Sequence, residues 1–335
     1  MKKFEENPES ILEILTGYWR TGILKAALEL EVFTKISQGF NQVELLAPKI
    51  QASKRGVKIL LDALCGLKLL KKSHDQYVLV PLSEKFLVKG IETYIGDAHH
   101  AFVPQEHWEI MGNIIQAVKK GTTVLTEPTP TEFWDKVVIG LRPLGVRVAQ
   151  TICDHLEMGK SGEPAIKVLD LACGAGIYGF AVLQQNKKAT LVEIDYGNVL
   201  EIAKNTAKKL GVFDRVIQRP GDILIDDFGE KEFDLAIISH ILQGFGPEDI
   251  KRVLNKVHRA LKPGGKIVIH DFVPDDNREY KTFPLIFAIY MLAVTQSGNT
   301  YTFSEFSTWL GELGFSEIDQ IEPPGTSTLI IATRC

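Results

Sequence analysis

The sequence is poor in cysteine and contains no long apolar run. Its four cysteines lie far apart, without a C-x-x-C pair or a Cys/His cluster at zinc-site spacing. This predicts free thiols, a cytoplasmic location and no metal site. No apolar run reaches the roughly 18 residues typical of a membrane span. The charged start Met1–Glu6 lacks the apolar core of a secretion signal, so no membrane association is expected.

The sequence also lacks an excess of positive charge. It has 38 Lys and Arg against 42 Asp and Glu, a net charge of −4, and its basic residues are spread along the chain. Bulk charge therefore gives no reason to expect a nucleic-acid partner. The length of 335 residues predicts two domains, and the 45% apolar content suffices for a sizeable core.

The stretch Val168–Gly179 carries the strongest functional signal. A short apolar run, typical of a buried strand, leads into a turn with Gly174 and Gly176, and a helical pattern follows from Phe180. Glycines allow a sharp turn and let a ligand approach bare backbone amides. In doubly wound α/β folds, ligands bind beyond the carboxyl ends of such strands.

Two classes of cofactor fit this turn. Gly174, Gly176 and Gly179 follow the G-x-G-x-x-G pattern of dinucleotide sites, and Asp195 lies about 20 residues further on, as that pattern requires. Asp170, however, stands just before the turn, where dinucleotide sites usually keep an apolar residue. A carboxylate there suits a ligand that carries an ammonium group. A nicotinamide or flavin dinucleotide remains the alternative.

The order Asp170-x-Ala172-x-Gly174-x-Gly176 resembles the S-adenosylmethionine (SAM) loop of class I methyltransferases. Asp195 at the end of the next strand and Gly221–Asp222 after the third fit the same family. The resemblance implies a cofactor, SAM, and a division of its binding site. Asp170, Ala172, Gly174 and Gly176 would hold the amino-acid end of SAM, Asp195 the ribose, and Asp222 and Ile223 the adenine, with Ser239 beside the cofactor.

The second half of the chain predicts a seven-stranded α/β sheet. Candidate strands are 166–171, 189–194, 215–219, 233–238, 266–272, 315–321 and 327–333, with helices between the first five. This alternation indicates a mostly parallel sheet, and the short break at 322–326 makes the last two strands a hairpin. The pattern is similar to the Rossmann-like class I methyltransferase sheet and differs from the dinucleotide variant.

The first half predicts a winged-helix domain. Helical patterns at 9–30, 43–50 and 54–64 precede a hairpin at 68–80 with its turn at 73–76. DNA binding is one use of this arrangement, but Ile59–Leu64 has a core-facing character that does not suit base recognition. Segments such as Tyr77–Leu87 resemble the dimerisation domain of small-molecule O-methyltransferases. That resemblance covers nearly the whole chain and implies a homodimer.

The resemblance suggests three segments. Residues 1–95 form the winged-helix dimerisation domain, 96–160 connecting helices that contribute to an acceptor pocket, and 161–335 the SAM-binding domain. Two groups of residues either pack internally or line that pocket. They are His99, His100, Phe102, His107, Trp108, Met111, Phe133 and Trp134 in the connecting helices, and Phe283, Phe287, Tyr290 and Met291 in the apolar insertion 280–292.

The residue expected to act as base is missing. Methyltransferases of this family carry a histidine just after the fourth strand, and the matching segment Ser239–Phe245 has Gln243 at that position. An amide cannot take a proton, so three hypotheses remain. The acceptor needs no strong base, or His240 or His270 replaces it, or SAM binds without transfer. Asp271 and Glu305 lie where the family braces its base, but Glu305 also fits an acid in a first helical turn after a serine cap.

These features together predict a SAM-dependent methyltransferase of secondary metabolism. Its acceptor would be a small aromatic or polyketide-like molecule, methylated on oxygen by in-line transfer with Gln243 in place of the usual base. The alternative is a SAM-binding protein with a non-methylating or ligand-sensing role, including a winged-helix regulator.

Overall fold

The computed structural model describes residues 7–125, 131–160 and 164–335. It divides into two compact units, one ending at Gln105 and the other beginning at Glu106. The predicted connecting segment 96–160 is therefore shared between the two units. The predicted boundaries at 95 and 160 remain predictions.

The first unit combines helices with one hairpin. Its single predicted helix over 9–30 is two helices, because the backbone leaves the helical conformation at Thr16, where φ is −96° and ψ is 1°. The core side of the fifth helix is buried through Val57, Leu61 and Leu64. In order, the elements are α1 (Pro8–Leu15), α2 (Gly17–Glu29), α3 (Val32–Ser37), α4 (Val43–Lys49), α5 (Lys54–Gly66), β1 (Leu70–Ser73), β2 (Gln76–Leu79), α6 (Pro81–Phe86) and α7 (His99–Phe102).

The second unit begins within α8 (Gln105–Gly112) and contains a seven-stranded sheet. Its strands are β3 (Lys167–Leu171), β4 (Thr190–Asp195), β5 (Val216–Pro220), β6 (Phe233–Ser239), β7 (Leu261–Asp271), β8 (Phe315–Ile321) and β9 (Thr328–Arg334). Their order across the sheet is β5-β4-β3-β6-β7-β9-β8. The five strands β3 to β7 pair in parallel, and β9 runs antiparallel to both β7 and β8. This confirms the predicted mostly parallel sheet with its C-terminal hairpin. The helices of this unit that follow α8 are α9 (Ile114–Lys120), α10 (Thr131–His155), α11 (Ile177–Gln185), α12 (Gly197–Lys209), α13 (Pro247–Ala260), α14 (Thr282–Val294) and α15 (Phe303–Glu312).

The predicted helix between β5 and β6 is wrong, because this segment forms turns. Acidic side chains there bond nearby backbone amides. Asp222 accepts from the Leu224 amide at 2.8 Å, and Asp226 accepts from the Asp222 amide at 2.6 Å. Such local bonds compete with helical hydrogen bonding.

The predicted serine cap before Glu305 is also wrong, since Thr302 is the N-cap of α15. The Thr302 hydroxyl accepts from the Glu305 amide at 3.2 Å, and the Glu305 carboxylate accepts from the Thr302 amide at 2.7 Å. This reciprocal capping box, with an added ion pair to Arg278 at 3.0 Å, gives Glu305 a structural role.

The sheet separates two hydrophobic clusters. On β3, Leu169 and Leu171 pack into one cluster and Val168 into the other, as the two-residue alternation of a strand requires. Because both faces of the central strands are buried, the ends of those strands are where polar groups can meet a ligand. Within the described ranges, no helix is long and apolar enough to cross a membrane.

Candidate active site

The predicted site residues meet at the carboxyl ends of β3 to β7. Strands β4 and β5 extend the sheet on one side of β3, and β6 and β7 extend it on the other. The side on which the chain adds its next strand therefore changes between β3 and β6. Open α/β sheets bind their ligands at such a switch point.

The glycine turn after β3 adopts a conformation that few side chains tolerate. Ala172, Gly174 and Gly176 have left-handed φ values of 51°, 58° and 73°. A Cβ added to Gly176 would collide with Phe180 and Glu193. The turn therefore requires glycine at 176 for both conformation and space, and the first residues of α11 follow directly.

Asp170 supplies a buried acceptor beneath this turn. Its side chain is fully buried, and Oδ2 accepts from the Gly179 amide at 3.1 Å. Oδ1 is buried with no partner among the described residues. Burial raises the pKa of Asp170 well above its usual range, and the charge of Glu193 adds to the effect. A buried oxygen without a donor is unusual, so the site fits the ammonium group of SAM.

Asp195 at the end of β4 bonds the same turn. Its Oδ2 accepts from the Gly174 amide at 2.9 Å and its Oδ1 from the Tyr196 amide at 2.7 Å. Burial is the largest cause of its raised pKa. Each oxygen keeps a further lone pair, so the carboxylate has acceptor capacity for ribose hydroxyls. Asp222 is half-buried after β5, whereas the Ile223 side chain is 6% exposed and packs in the core.

His270 is held on both sides by hydroxyls. Its Nδ1 lies 2.9 Å from the Ser239 Oγ, and its Nε2 lies 2.7 Å from the Ser327 Oγ. The ring is 2% exposed. Burial lowers the pKa of His270 well below its usual range, and the neighbouring His240 lowers it further. This environment keeps the imidazole neutral and occupies both nitrogens, which disfavours a role as base.

Gln243 lies in the 3₁₀ turn Leu242–Gly244 that follows β6, and it is 7% exposed. Its backbone amide donates to Asp271 Oδ2 at 3.2 Å, while its Nε2 lies 3.5 Å from the His240 carbonyl. The side-chain oxygen Oε1 is buried with no partner in the described part of the chain. It is an available hydrogen-bond acceptor.

His240 lies beside Gln243 in a strained conformation. Its φ is 51°, fixed by a 2.8 Å bond from its amide to the His270 carbonyl. The ring nitrogen Nδ1 lies 3.8 Å from Asp271 Oδ1, and the side chain is 23% exposed. The ring centroid is 4.2 Å from that of His270 and 4.5 Å from that of Phe272.

Four rings extend from His240 and form what we call the aromatic wall: Phe272, Phe283, Phe287 and Tyr290. Phe272 lies 4.8 Å from Phe283 and 4.7 Å from Phe287, and Phe287 lies 5.3 Å from Tyr290, between centroids. The Tyr290 hydroxyl is 2.9 Å from a ring nitrogen of His107. Phe283 remains 36% exposed. The predicted aromatic face of α14 thus adjoins Gln243 through His240.

Some predicted pocket residues are not part of this group. His99, His100 and Phe102 belong to the first unit, Met291 is buried at 6% exposure, and the side chains of Phe133 and Trp134 lie outside the described residues. Sequence reasoning missed Phe272 and Glu193. The signal for Phe272 was its position directly after His270 and Asp271 at the end of β7. The signal for Glu193 was an acidic residue within the otherwise apolar run Leu191–Ile194.

Two protein families match the chain. A methyltransferase domain matches residues 168–265, and the O-methyltransferase dimerisation domain matches residues 12–89. The 3-hydroxy-5-methyl-1-naphthoate 3-O-methyltransferase of Streptomyces sahachiroi is 23% identical, over 98% of this chain and 95% of its own length.

Solved structures show the same relationship. Human N-acetylserotonin methyltransferase in complex with SAM has the same fold, with a TM-score of 0.84 at 20% identity over 100% of this chain and 99% of its own. A provisionally named O-methyltransferase from Nostoc punctiforme PCC 73102 is 31% identical, with a TM-score of 0.90 over 98% of this chain and 100% of its own. With both family matches, this full-length similarity shows that the chain belongs to the SAM-dependent O-methyltransferases that carry an N-terminal dimerisation domain.

Proposed function

We propose that this methyltransferase acts on a hydroxyl group of a small aromatic or polyketide-like metabolite. The observation that carries the proposal is the aromatic wall, which leads from α14 to His240 beside the unpartnered oxygen of Gln243. Aromatic rings form favourable contacts with other rings, and Gln243 Oε1 offers an acceptor for one hydroxyl. The naphthoate substrate named for the Streptomyces relative is of the same chemical class.

The cofactor assignments of the sequence are retained in this proposal, except that of Ile223, which the sequence placed with Asp222 at the adenine and whose side chain packs in the core. Asp170, with Ala172, Gly174 and Gly176, would hold the amino-acid end of SAM, and Asp195 the ribose. Asp222 and Ser239 would flank the adenine and the rest of the cofactor, and Ile223 would support the Asp222 turn from the core. Bound SAM supplies an electrophilic methyl group on its sulfonium.

Gln243 would orient the acceptor but not deprotonate it. Its Oε1 accepts a hydrogen bond from a neutral hydroxyl of the substrate, near the ionised oxygen that takes the methyl group, while the bond from its amide to Asp271 fixes the turn. An ordinary phenol, with a pKa near 10, is mostly protonated at neutral pH. Orientation alone therefore favours acidic phenols and enols that are already ionised, and proximity contributes most of the rate.

His240 is the second candidate for the role of base. Its Nδ1 lies close enough to Asp271 to be oriented by it once a ligand is bound, because catalytic hydrogen bonds are often long without substrate. A sensing role without methyl transfer is the alternative from a different functional class.

The test is release of S-adenosylhomocysteine (SAH) from SAM with a series of phenols and enols of graded pKa. We expect turnover at neutral pH with acceptors whose pKa lies below about 7, and at least tenfold less with ordinary phenols. Gln243→His should raise the rate on ordinary phenols and leave that on acidic acceptors nearly unchanged, with Gln243→Asn as control.

Equal rates across the wild-type series would instead indicate an internal base. Loss of those rates in His240→Gln, with SAM affinity retained, would identify that base. Binding of SAM without turnover on any acceptor would favour the sensing alternative.

We also propose that the protein is a homodimer formed through its first unit. The dimerisation family covers 12–89, and α1 buries none of its own residues in this chain. The charge balance of the sequence gives no reason to expect a nucleic-acid partner.

A further inference from the structure

A second buried carboxyl group lies next to Asp170, and the proposed mechanism does not use it. Glu193 on β4 is paired in register with Asp170 on β3, so the two side chains lie on the same face of adjacent strands. Both residues are fully buried. A Cβ added at Gly176 would collide with Glu193, so Glu193 lies directly beneath the glycine turn.

The two carboxyl groups have too few donors for two charges. Glu193 Oε2 accepts from Gln218 Nε2 at 2.9 Å, and Asp170 Oδ2 accepts from the Gly179 amide at 3.1 Å. The other oxygens, Glu193 Oε1 and Asp170 Oδ1, are both buried without a partner among the described residues. Buried carboxylates ordinarily acquire partners for such oxygens.

Burial and the neighbouring negative charge favour the protonated form of Glu193. Burial is the largest cause that raises the pKa of Glu193 to about 7, and the charge of Asp195 raises it further. The neighbouring groups are Asp195 on the same strand, the neutral Gln218 on β5 and the Cys173 thiol in the turn. Hydrogen bonds from Gln218 and, to a smaller extent, from Cys173 lower the pKa of Glu193. Among the described residues, no basic side chain contributes to the pKa of either carboxyl group. Two adjacent buried carboxyls of this kind do not both ionise at neutral pH.

We propose that Glu193 is a further positioning residue of the cofactor site, which shares one proton with Asp170 until the ammonium group of the cofactor displaces that proton. The inference rests on the proposed placement of the amino-acid end of SAM at Asp170. The ammonium donates to Asp170 Oδ1 and adds one positive charge, while the shared proton leaves to solvent. No covalent bond to carbon forms or breaks.

Proton release follows directly and can be measured with SAH, which carries the same ammonium group and does not react. Isothermal titration of the full chain with SAH at pH 7, in phosphate and in Tris, gives the number of protons released from the difference in heats. We expect about half a proton to one proton per site. The SAH affinity should rise with pH, by up to tenfold per unit below the pKa of the pair, between pH 6 and 7.5.

Glu193→Gln should reduce the release and weaken the pH dependence, because loss of the Glu193 charge lowers the pKa of Asp170, which burial alone still raises. The matched control is Glu201→Gln, which removes an exposed carboxylate on α12 that is paired with Lys204, and it should behave as the wild type. Wild-type binding without proton release, or unchanged release in Glu193→Gln, overturns the inference. If the Glu193→Gln variant fails to fold, proton release and the pH dependence of SAH affinity in the wild-type protein still test the inference. Failure of the wild-type protein to bind SAH would instead contradict the proposed function.

Discussion

At the residue scale, the site is defined by buried polar atoms that have no hydrogen-bond partner among the described residues. Asp170 Oδ1, Glu193 Oε1 and Gln243 Oε1 all lie at or beneath the carboxyl ends of β3, β4 and β6. Each of these oxygens lowers the stability of the ligand-free chain, because the loss of its hydration is not offset by a hydrogen bond. A ligand that supplies donors at these points recovers that cost, which is a physical reason for the placement of cofactor and acceptor proposed above.

The burial of Glu193 predicts a pH dependence of stability without cofactor. Because its pKa is raised from 4.5 to about 7, the folded state disfavours the ionised form. The free energy of unfolding should therefore fall as pH rises from about 4.5 through about 7, by at most roughly 3 kcal/mol from this group. Glu193→Gln should lack this loss and be more stable than the wild type at pH 8.

Urea denaturation at pH 5 and pH 8 measures the difference between the two proteins. The Glu201→Gln variant is the control, since its carboxylate is exposed. Equal destabilisation of the Glu193→Gln variant at both pH values would contradict the prediction, because the contribution of the carboxyl group would then not depend on its ionisation.

At the element scale, the capping box of α15 is a local device whose contribution can be isolated. Thr302→Ala removes the hydroxyl that accepts from the Glu305 amide, and it should cost about 1 kcal/mol. The amide of Glu305 should exchange with solvent faster by a corresponding factor. Amide hydrogen exchange of the first turn of α15 measures this effect without requiring global unfolding.

Thr308→Ala on the same helix is the matched control. Its hydroxyl bonds the Ser304 carbonyl within the helix at 2.8 Å, and alanine has the higher helix propensity. We expect no loss of protection there. Equal effects of the two substitutions would show that the cap does not stabilise α15.

At the scale of the whole molecule, α1 exposes a continuous apolar surface. Ile11, Leu12, Ile14 and Leu15 are 55% to 63% exposed, and Tyr18 and Trp19 at the start of α2 are each 58% exposed. A surface of this kind marks an interaction site. Except for Ile11, these residues lie within the region matched by the dimerisation family.

Leu12→Asp combined with Leu15→Asp should therefore convert a dimer into a 37.3 kDa monomer. Burial of each leucine in an interface contributes about 1.5–3 kcal/mol, and a buried aspartate adds a desolvation cost. Light scattering after gel filtration gives the mass. The control is Ile225→Asp, at an 81% exposed position between β5 and β6, and this variant should stay dimeric. An unchanged mass of the α1 variant would place the interface elsewhere.

The sequence by itself determined the elements whose signals are local. The glycine turn, the buried strands and the C-terminal hairpin follow from residue type and periodicity over a few positions. The error at the Asp222 turn has the same origin, because its acidic side chains bond the backbone and periodicity does not register such bonds.

Only the tertiary structure decided which residues meet. The pairing of Asp170 with Glu193 depends on strand register, and the bond from His270 to Ser327 joins positions 57 residues apart. Phe272 joins the aromatic wall because α14 folds back against the end of β7. These contacts depend on crossovers and burial in three dimensions, and burial sets the pKa of Glu193 and of His270. Local patterns carry no information about either.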